Sequence, residues 1–280
     1  MFVPGNKERF LAKAPLSGAD GVLLDLEDGV LPGDKSRARA MVAEVLAQDW
    51  TGQHCYVRVN AFSTPWLFDD LDAIVLPALN GICLTKVNEA DEVRQVAAIL
   101  SFLEHSRGLP DGSVRILAAV ESARGLINAA SIGVCHPRVS GLIFGAEDYA
   151  LDLGLGARRE REAAELLHGR SIIVGAATAA GIWSVDGVYP NLDDPEALVE
   201  DAKQARRLGF TAKSTFNPRQ IDAINDIFSP QPGEIEYART IATAFKQAEA
   251  RGDASVAVGG QLVDKPILLR ALAILGTIGE

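Results

Sequence analysis

Short apolar runs alternate with longer amphipathic segments along most of the chain. The run at residues 21–26 is apolar at nearly every position, which is typical of a parallel strand buried on both faces. Runs of this kind predict eight strands, at residues 2–4, 21–26, 55–60, 81–85, 114–120, 141–145, 182–185 and 211–215.

The segments between these runs carry helical signals. Apolar and alanine positions recur at helical spacing over residues 34–48 and 89–103. Pro195 follows two aspartates that can cap a helix, and Pro218 follows Asn217 in the same way. Eight strands, each followed by a helix, predict an α/β protein with a (β/α)8 TIM barrel over residues 1–229. A doubly wound open sheet is the alternative, but the alternation continues through this range without a break in composition.

Residues 230–280 differ from the rest and predict a small C-terminal helical extension or lid. A Pro-Gln-Pro-Gly sequence at 230–233 breaks the chain, and a helical pattern at 234–251 follows it. Another apolar helix closes the chain. Between the two helices, we interpret the Gly259-Gly260 pair as a hinge or a point of close approach.

Composition and charge narrow the classes of function. The 280 residues are 48% hydrophobic with a net charge of −10, which supplies a core but no basic face for nucleic acid. No apolar run approaches the roughly 20 residues of a membrane span, and no signal peptide is evident. The three cysteines match no zinc pattern, and Cys55 and Cys83 lie in apolar runs, as inert core thiols do. We therefore expect a cytoplasmic protein that binds neither nucleic acid nor a membrane.

Acids follow two of the predicted strands, and they are the strongest sign of chemistry in the chain. Glu121 comes directly after Val120, and the next apolar run is followed by Glu147 and Asp148. A carboxylate where a buried strand ends is costly unless it is paired or holds a cation. Because the carboxyl ends of barrel strands share one mouth, two such acids could hold a hard divalent ion there. This pattern favours an enzyme.

Polar or small residues also stand at the other predicted strand ends. They are Pro4, Gly5 and Asn6, residues 25–28, residues 58–60, Thr85 and Lys86, Asp186, and Lys213. A solvated loop charge or a helix cap explains any one of them. Their recurrence at equivalent positions indicates a site.

Five motifs occur in an order that resembles a known family. They are Phe2-Val3-Pro4-Gly5-Asn6, Leu24-Asp25-Leu26-Glu27-Asp28, Val57-Arg58-Val59-Asn60, Val120-Glu121-Ser122-Ala123-Arg124-Gly125 and Phe144-Gly145-Ala146-Glu147-Asp148. The series is similar to the citrate lyase beta-subunit family of the HpcH/HpaI aldolase superfamily, which includes malyl- and citramalyl-CoA lyases. The similarity extends over almost the whole chain. It implies a (β/α)8 barrel, a homo-oligomer that is a trimer or a hexamer, and Mg²⁺ as the cofactor.

The resemblance also implies roles for individual residues. Glu121 and Asp148 would be the Mg²⁺ ligands, and Glu121 would also take part in substrate binding and catalysis. Arg58 would bind a substrate carboxylate and stabilise a developing oxyanion. The alternative for Arg58 is a salt bridge to Asp25 or Glu27.

Two further pairs near the strand ends receive roles in the same way. Glu27 and Asp28 would hydrogen-bond to metal-bound waters, with capping of the following helix as the alternative. The segment from Phe2 to Asn6, with Pro4 and Gly5 as the substrate-binding candidates, would place backbone amides beside the substrate carboxylate or thioester. An ordinary turn is the alternative for Pro4 and Gly5.

Asp264 is the candidate acid/base outside the barrel. The sequence Val263-Asp264-Lys265-Pro266 resembles the malyl-CoA lyase branch, in which a C-terminal segment covers the active site of a neighbouring subunit. A helix cap is the alternative for an exposed aspartate before Lys-Pro. The chain departs from the family pattern at Asn217, where a histidine is usual, and at Thr85, where a proline is usual.

The reaction implied by the resemblance is Mg²⁺-dependent carbon–carbon bond cleavage. A citryl-, citramalyl- or malyl-thioester would give an acyl thioester and a 2-oxo acid such as oxaloacetate, pyruvate or glyoxylate. The thioester carrier would be CoA or acyl carrier protein, and other subunits of a citrate lyase complex could be partners. The alternatives are a stand-alone malyl- or citramalyl-CoA lyase, a malate synthase-like condensing enzyme, and a non-catalytic subunit that binds CoA or an oxo acid.

Overall fold

The computed structural model describes residues 1–48, 50, 52–156 and 163–279. It divides the chain into two compact units, Met1–Ile224 and Asn225–Glu280. The boundary expected from the sequence, after residue 229, lies nearby. None of the helices in the described residues is long and apolar enough to cross a membrane.

Eight parallel strands form the centre of the first unit. They are β1 (Phe2–Pro4), β2 (Gly21–Asp25), β3 (His54–Val59), β4 (Gly81–Leu84), β5 (Arg115–Val120), β6 (Val139–Phe144), β7 (Trp183–Asp186) and β8 (Ala212–Lys213). Each strand pairs with the next in chain order. The Phe2 amide donates to the Thr215 carbonyl oxygen at 2.7 Å, which joins β1 to the segment after β8. The predicted (β/α)8 barrel is confirmed, and the open-sheet alternative is wrong.

Helices follow the strands and cover the barrel. They are α1 (Glu8–Leu11), α2 (Lys35–Leu46), α3 (Leu67–Ile74), α4 (Ala90–Ser106), α5 (Ala123–Ile127), α6 (Ala129–Val134), α7 (Ala146–Asp152), α8 (Leu167–Ala180), α9 (Pro195–Leu208) and α10 (Ile221–Phe228). As predicted, α9 begins at Pro195, and the Asp194 carboxylate caps it by accepting from the Ala197 amide at 3.0 Å. Pro218 begins a single 3₁₀ turn, Pro218–Gln220, before α10.

The interior of the barrel is a packed apolar layer. Its buried members are Leu23, Tyr56, Cys83, Leu117, Ala119 and Ile143. Gly81 makes room for the Tyr56 ring, since a Cβ at this glycine would lie 2.4 Å from a ring carbon. Burial raises the pKa of the Cys55 thiol to about 12, so this thiol is inert, as the sequence indicates. Polar chemistry is thereby confined to the ends of the strands.

Four buried charged side chains join β7 and β8 to the helices outside them. Arg170 of α8 donates to both oxygens of Asp186 at 2.9 Å and to Asp201 of α9 at 2.6 Å. The Lys213 ammonium lies 2.6 Å from the same two aspartates and donates to the Gly187 carbonyl oxygen at 2.9 Å. The two positive and two negative charges cancel, which makes their burial tolerable.

The second unit begins within α10, and its other described elements are a hairpin and the helices on either side of it. They are α11 (Pro232–Ala250), β9 (Val256–Val258), β10 (Gln261–Val263) and α12 (Lys265–Thr277). Its core includes Ile241, Phe245 and Leu275. Gly259 and Gly260 have φ angles of +58° and +83°, which are those of a two-residue turn between antiparallel strands. The two glycines form the hairpin turn. A Cβ at either position would meet no atom within 4 Å, so the interpretation as a point of close approach is wrong, whereas the hinge stays a prediction.

Replacing Lys213 tests the buried charge network. In Lys213→Met, the two aspartates share one guanidinium, and an uncompensated buried charge costs about 3–5 kcal/mol. We expect the free energy of unfolding, measured with denaturant, to fall by this amount. Arg94→Met removes an exposed cation paired with Asp91 and should change stability by less than about 0.5 kcal/mol. Equal stabilities of the two variants would contradict this account of the network.

Candidate active site at the carboxyl ends of the strands

A cavity of about 310 Å³ opens at the carboxyl ends of the barrel strands. Its polar wall includes Asp25, Arg58, Glu121 and Asp148, and its apolar wall includes Phe2 and Ile143. The structure therefore brings the three main sequence candidates, Arg58, Glu121 and Asp148, to one cavity within the first unit.

Glu121 is buried where β5 ends, and the backbone around it is shaped to fit its carboxylate. The Lys86 amide donates to Glu121 Oε1 at 2.5 Å. Gly145, at the end of β6, leaves the space for the other oxygen, because a Cβ at Gly145 would lie 2.3 Å from Glu121 Oε2. Burial, together with the charge of Asp148, raises the pKa of Glu121 to about 7.

Asp148 lies in the first turn of α7 and is half-buried, whereas its neighbour Glu147 is exposed. Glu121 and Asp148 both line the cavity, and the charge of Asp148 contributes to the raised pKa of Glu121. In the described residues, no group of three or more His, Cys, Asp or Glu side chains is arranged to hold a metal ion. Two carboxylates with open positions suit Mg²⁺, which takes few protein ligands and keeps several waters.

Asp25 holds Arg58 in a bidentate ion pair, which is the alternative recognised from the sequence. Arg58 Nε and Nη2 each donate to one oxygen of Asp25 at 2.7 Å. The same two oxygens accept from the backbone amides of Glu27 at 2.8 Å and Gly29 at 2.9 Å. Arg58 Nη1 points elsewhere and lies 3.3 Å from Glu27 Oε2. The guanidinium is therefore fixed in place, and its remaining donors are on Nη1, beside Glu27, and on the second N–H of Nη2.

Glu27 and Asp28 belong to a second ion-pair cluster, with Lys86. The Lys86 ammonium lies 2.8 Å from Glu27 Oε1 and 3.4 Å from Asp28 Oδ2. Glu27 is buried, and burial raises the pKa of its carboxyl. Neither acid caps α2, because the N-cap position of that helix is Asp34.

Lys86 has a backbone conformation that is rare for a residue with a side chain. Its φ is +54°, a left-handed conformation that costs on the order of 1–2 kcal/mol. In this conformation the amide reaches Glu121 while the side chain reaches Glu27. In the sequence, Lys86 is one of several charges at strand ends, and a lysine gives no signal of positive φ.

The segment around β1 offers fewer free backbone amides to a substrate than the sequence analysis predicts. Pro4 lines the cavity, but the Gly5 amide donates to the Asp25 carbonyl oxygen at 2.8 Å. A Cβ at Gly5 would lie 2.5 Å from that oxygen. In this structure, Gly5 therefore brings β1 close to β2, and its amide is already engaged.

The remaining sequence candidates have capping or packing contacts. Asp264 is exposed in the second unit, where its side chain accepts from the Ile267 amide at 3.4 Å and caps α12. Asn217 caps the 3₁₀ turn by accepting from the Arg219 amide at 3.1 Å. Thr85 is buried and donates to the Val59 carbonyl oxygen at 2.9 Å.

The raised pKa of Glu121 predicts that Glu121→Gln stabilises the metal-free protein in a pH-dependent way. A folded-state pKa of about 7, above the ordinary 4.5, means that the wild-type fold loses stability as pH rises through this window. Gln carries no charge, so the advantage of the variant grows from pH 4.5 to 7. It should reach about 3 kcal/mol at pH 8, measured by denaturant unfolding with chelator present.

The exposed neighbour provides the control for this experiment. Glu147→Gln removes a carboxylate from the same turn as Asp148 without relieving a buried charge, so little change is expected. A difference between Glu121→Gln and wild type that stayed constant from pH 4.5 to 8 would contradict the burial of an ionised carboxylate here.

Comparison with known proteins identifies the family. Residues 1–218 match the model for HpcH/HpaI aldolase/citrate lyase. The chain is 36% identical to the citrate lyase subunit beta of Leuconostoc mesenteroides subsp. cremoris, over 98% of this chain and 91% of that protein. It is also 36% identical to the (3S)-malyl-CoA thioesterase of Cereibacter sphaeroides, over 94% and 88%.

A solved structure is similar over the whole chain. It is the protein CitE from Mycobacterium tuberculosis in complex with magnesium, acetoacetate and coenzyme A. It matches with a TM-score of 0.84 and 32% identity, over 100% of this chain and 97% of that one. The chain therefore belongs to the HpcH/HpaI aldolase/citrate lyase family, whose members are carbon–carbon lyases.

Proposed function

We propose that this protein is an Mg²⁺-dependent lyase of the citrate lyase beta-subunit type. It would cleave a citryl-, citramalyl- or malyl-thioester to a 2-oxo acid and an acyl thioester. The observation that carries the proposal is the pair Glu121 and Asp148, two nearby carboxylates on one cavity wall with Arg58. The similar CitE structure contains magnesium, acetoacetate and coenzyme A, which matches a metal, an oxo acid and a thioester carrier.

Each residue at the cavity would have a separate role in the reaction. Glu121 and Asp148 would hold the metal, and Glu27 and Asp28 would accept hydrogen bonds from its waters. Bound Mg²⁺ would act as a Lewis acid on the substrate oxygen attached to one carbon of the bond that is cleaved. Arg58 Nη1 would donate to that oxygen as negative charge develops, without reorganising, because Asp25 already fixes the guanidinium.

The proton transfers complete the reaction. A base takes the proton of the substrate hydroxyl, the carbon–carbon bond breaks, and its electron pair passes to the thioester enolate. Asp264 would protonate that enolate carbon, and in the reverse direction would remove the same proton. We place Asp264 in the site of a neighbouring subunit of a trimer or hexamer, so that turnover would require the cytoplasmic oligomer.

A second candidate is a stand-alone malyl- or citramalyl-CoA lyase, with thioester hydrolysis as a variant. The similarity to a (3S)-malyl-CoA thioesterase favours it, as does the sequence around Asp264. A non-catalytic binding subunit is disfavoured, because Glu121, Asp148 and Arg58 all line the cavity. Incubation with citryl-, citramalyl- and malyl-CoA separates the candidates, since a lyase releases an oxo acid whereas a thioesterase releases free CoA thiol.

The metal assignment predicts the effect of removing one carboxylate at a time. Glu121→Gln and Asp148→Asn should each lower Mg²⁺-dependent oxo-acid release at least about 100-fold, because one metal ligand is lost. Mg²⁺ binding, measured by calorimetry, should weaken in parallel. Glu147→Gln is the matched control and should retain activity. If both cavity variants cleaved thioester at the wild-type rate, the assignment would be wrong.

Asp264→Asn tests the acid/base role apart from the metal site. We expect it to bind Mg²⁺ and oxo acid normally and to lose turnover at least about 100-fold, as for loss of a general acid. Mixed oligomers with Arg58→Ala should regain part of the activity, since some sites would then combine an intact Arg58 with an intact Asp264. Full activity of Asp264→Asn would contradict the acid/base role of Asp264. Absence of recovery in the mixed oligomers would contradict a site shared between subunits.

A further inference from the structure

The negative charges on the polar wall of the cavity are unevenly compensated by positive charges. Asp25 is matched by Arg58 through two hydrogen bonds of 2.7 Å. Glu121 and Asp148 line the same cavity, and in the described residues the Glu121 carboxylate accepts from a neutral donor, the Lys86 amide. A cation near these two carboxylates therefore strongly affects what else can bind beside them.

Lys86 is such a cation, and both its backbone and its side chain are held by carboxylates. Its amide is tied to Glu121, and its ammonium lies 2.8 Å from Glu27. The side chain is 40% exposed, and its partner Glu27 also lies 3.3 Å from Arg58 Nη1 of the cavity wall. Burial lowers the pKa of Lys86, but the hydrogen bond to Glu27 and the charges of Asp28 and Asp148 outweigh it and raise the pKa. The ammonium is therefore charged and interacts with Asp148 as well as with its direct partners.

We propose that Lys86 is a built-in counter-ion that weakens divalent-cation binding at this site and strengthens binding of an anionic substrate. The inference depends on the proposed Mg²⁺ and oxo-acid site and adds a residue that sets the balance between the two ligands. A fixed ammonium repels a divalent cation and attracts a carboxylate. The left-handed backbone of Lys86 is consistent with such a role, because functional sites are where strained conformations are retained.

The opposite signs of the two effects separate this role from a structural one. A residue that merely held Glu121 or Glu27 in place would, when replaced, weaken the binding of both ligands. A counter-ion, when neutralised, should tighten Mg²⁺ binding and weaken oxo-acid binding. The difference should shrink as ionic strength rises, because the ammonium is partly exposed and is screened by salt.

Calorimetry on the full-length protein tests the proposal. Mg²⁺ is titrated first without substrate, and pyruvate is then titrated at saturating Mg²⁺. We expect Lys86→Met to bind Mg²⁺ at least about threefold more tightly and pyruvate at least about threefold more weakly at low salt. Lys86→Arg should restore both constants toward wild type.

Two further variants complete the design. Lys86→Gly removes the ammonium in a residue that suits a positive φ, so it should behave like Lys86→Met and serves in its place if Lys86→Met does not fold. Arg94→Met makes the same change in net charge on α4 and should leave both constants unchanged.

The outcomes distinguish the two proposals. If the wild type binds no Mg²⁺, the proposed function fails and this inference fails with it. If the wild type binds Mg²⁺ but Lys86→Met and Lys86→Gly weaken both ligands, or change neither, the proposed function stands and the counter-ion role is overturned.

Discussion

The burial of the Glu121 carboxylate is the constraint on which the site depends. Glu121 is only 7% exposed, and burying an ionised carboxylate is unfavourable, which is why the pKa of Glu121 is raised. The backbone around Glu121 adopts unfavourable or restricted conformations that accommodate the carboxylate. Lys86 adopts a left-handed conformation to aim its amide at Glu121, and Gly145 lacks the Cβ that would collide with it. These unfavourable conformational energies are consistent with a carboxylate that is retained for chemistry rather than for packing.

Paired charges lie on either side of Glu121, which in the described part of the chain forms no ion pair with a side-chain cation. On one side, Asp25 and Arg58 form a bidentate pair, and Asp25 also orders the turn through two backbone amides. On the other side, Lys213 joins two aspartates and the Gly187 carbonyl oxygen. Gly187 packs against the end of β6, where a Cβ would lie 2.9 Å from the Phe144 carbonyl oxygen. The end of β6 and the start of α7, the helix that contains Asp148, are therefore supported by a network that lies outside the cavity.

The sequence was sufficient for the barrel because its strands are buried on both faces and appear as uninterrupted apolar runs. It was also sufficient to bring Arg58, Glu121 and Asp148 together, since parallel strand ends meet at one mouth. It did not reveal how Arg58 is oriented. Whether its guanidinium faces Asp25 or a substrate depends on side-chain geometry between β2 and β3. The conformation of Lys86 was equally hidden, because tertiary contacts impose a positive φ that lysine does not itself favour. The β9–β10 hairpin was missed because its strands are short and have only one buried residue, Val263, so they do not appear as buried apolar runs.

The engagement of Arg58 by Asp25 affects how a substrate would be selected under the proposed function. Asp25 occupies the side edge of the Arg58 guanidinium, at Nε and one N–H of Nη2. A substrate carboxylate would meet the end edge, formed by Nη1 and the second N–H of Nη2, and would compete there with Glu27, which lies 3.3 Å from Nη1. Selection among oxo acids would then come from this edge, from the metal and from the size of the cavity. A volume of about 310 Å³ lies at the low end for ligand pockets, which suits a small oxo acid and leaves the thioester carrier outside. Discrimination between CoA and acyl carrier protein would therefore be a property of the surface around the mouth, separate from the residues that cut the bond.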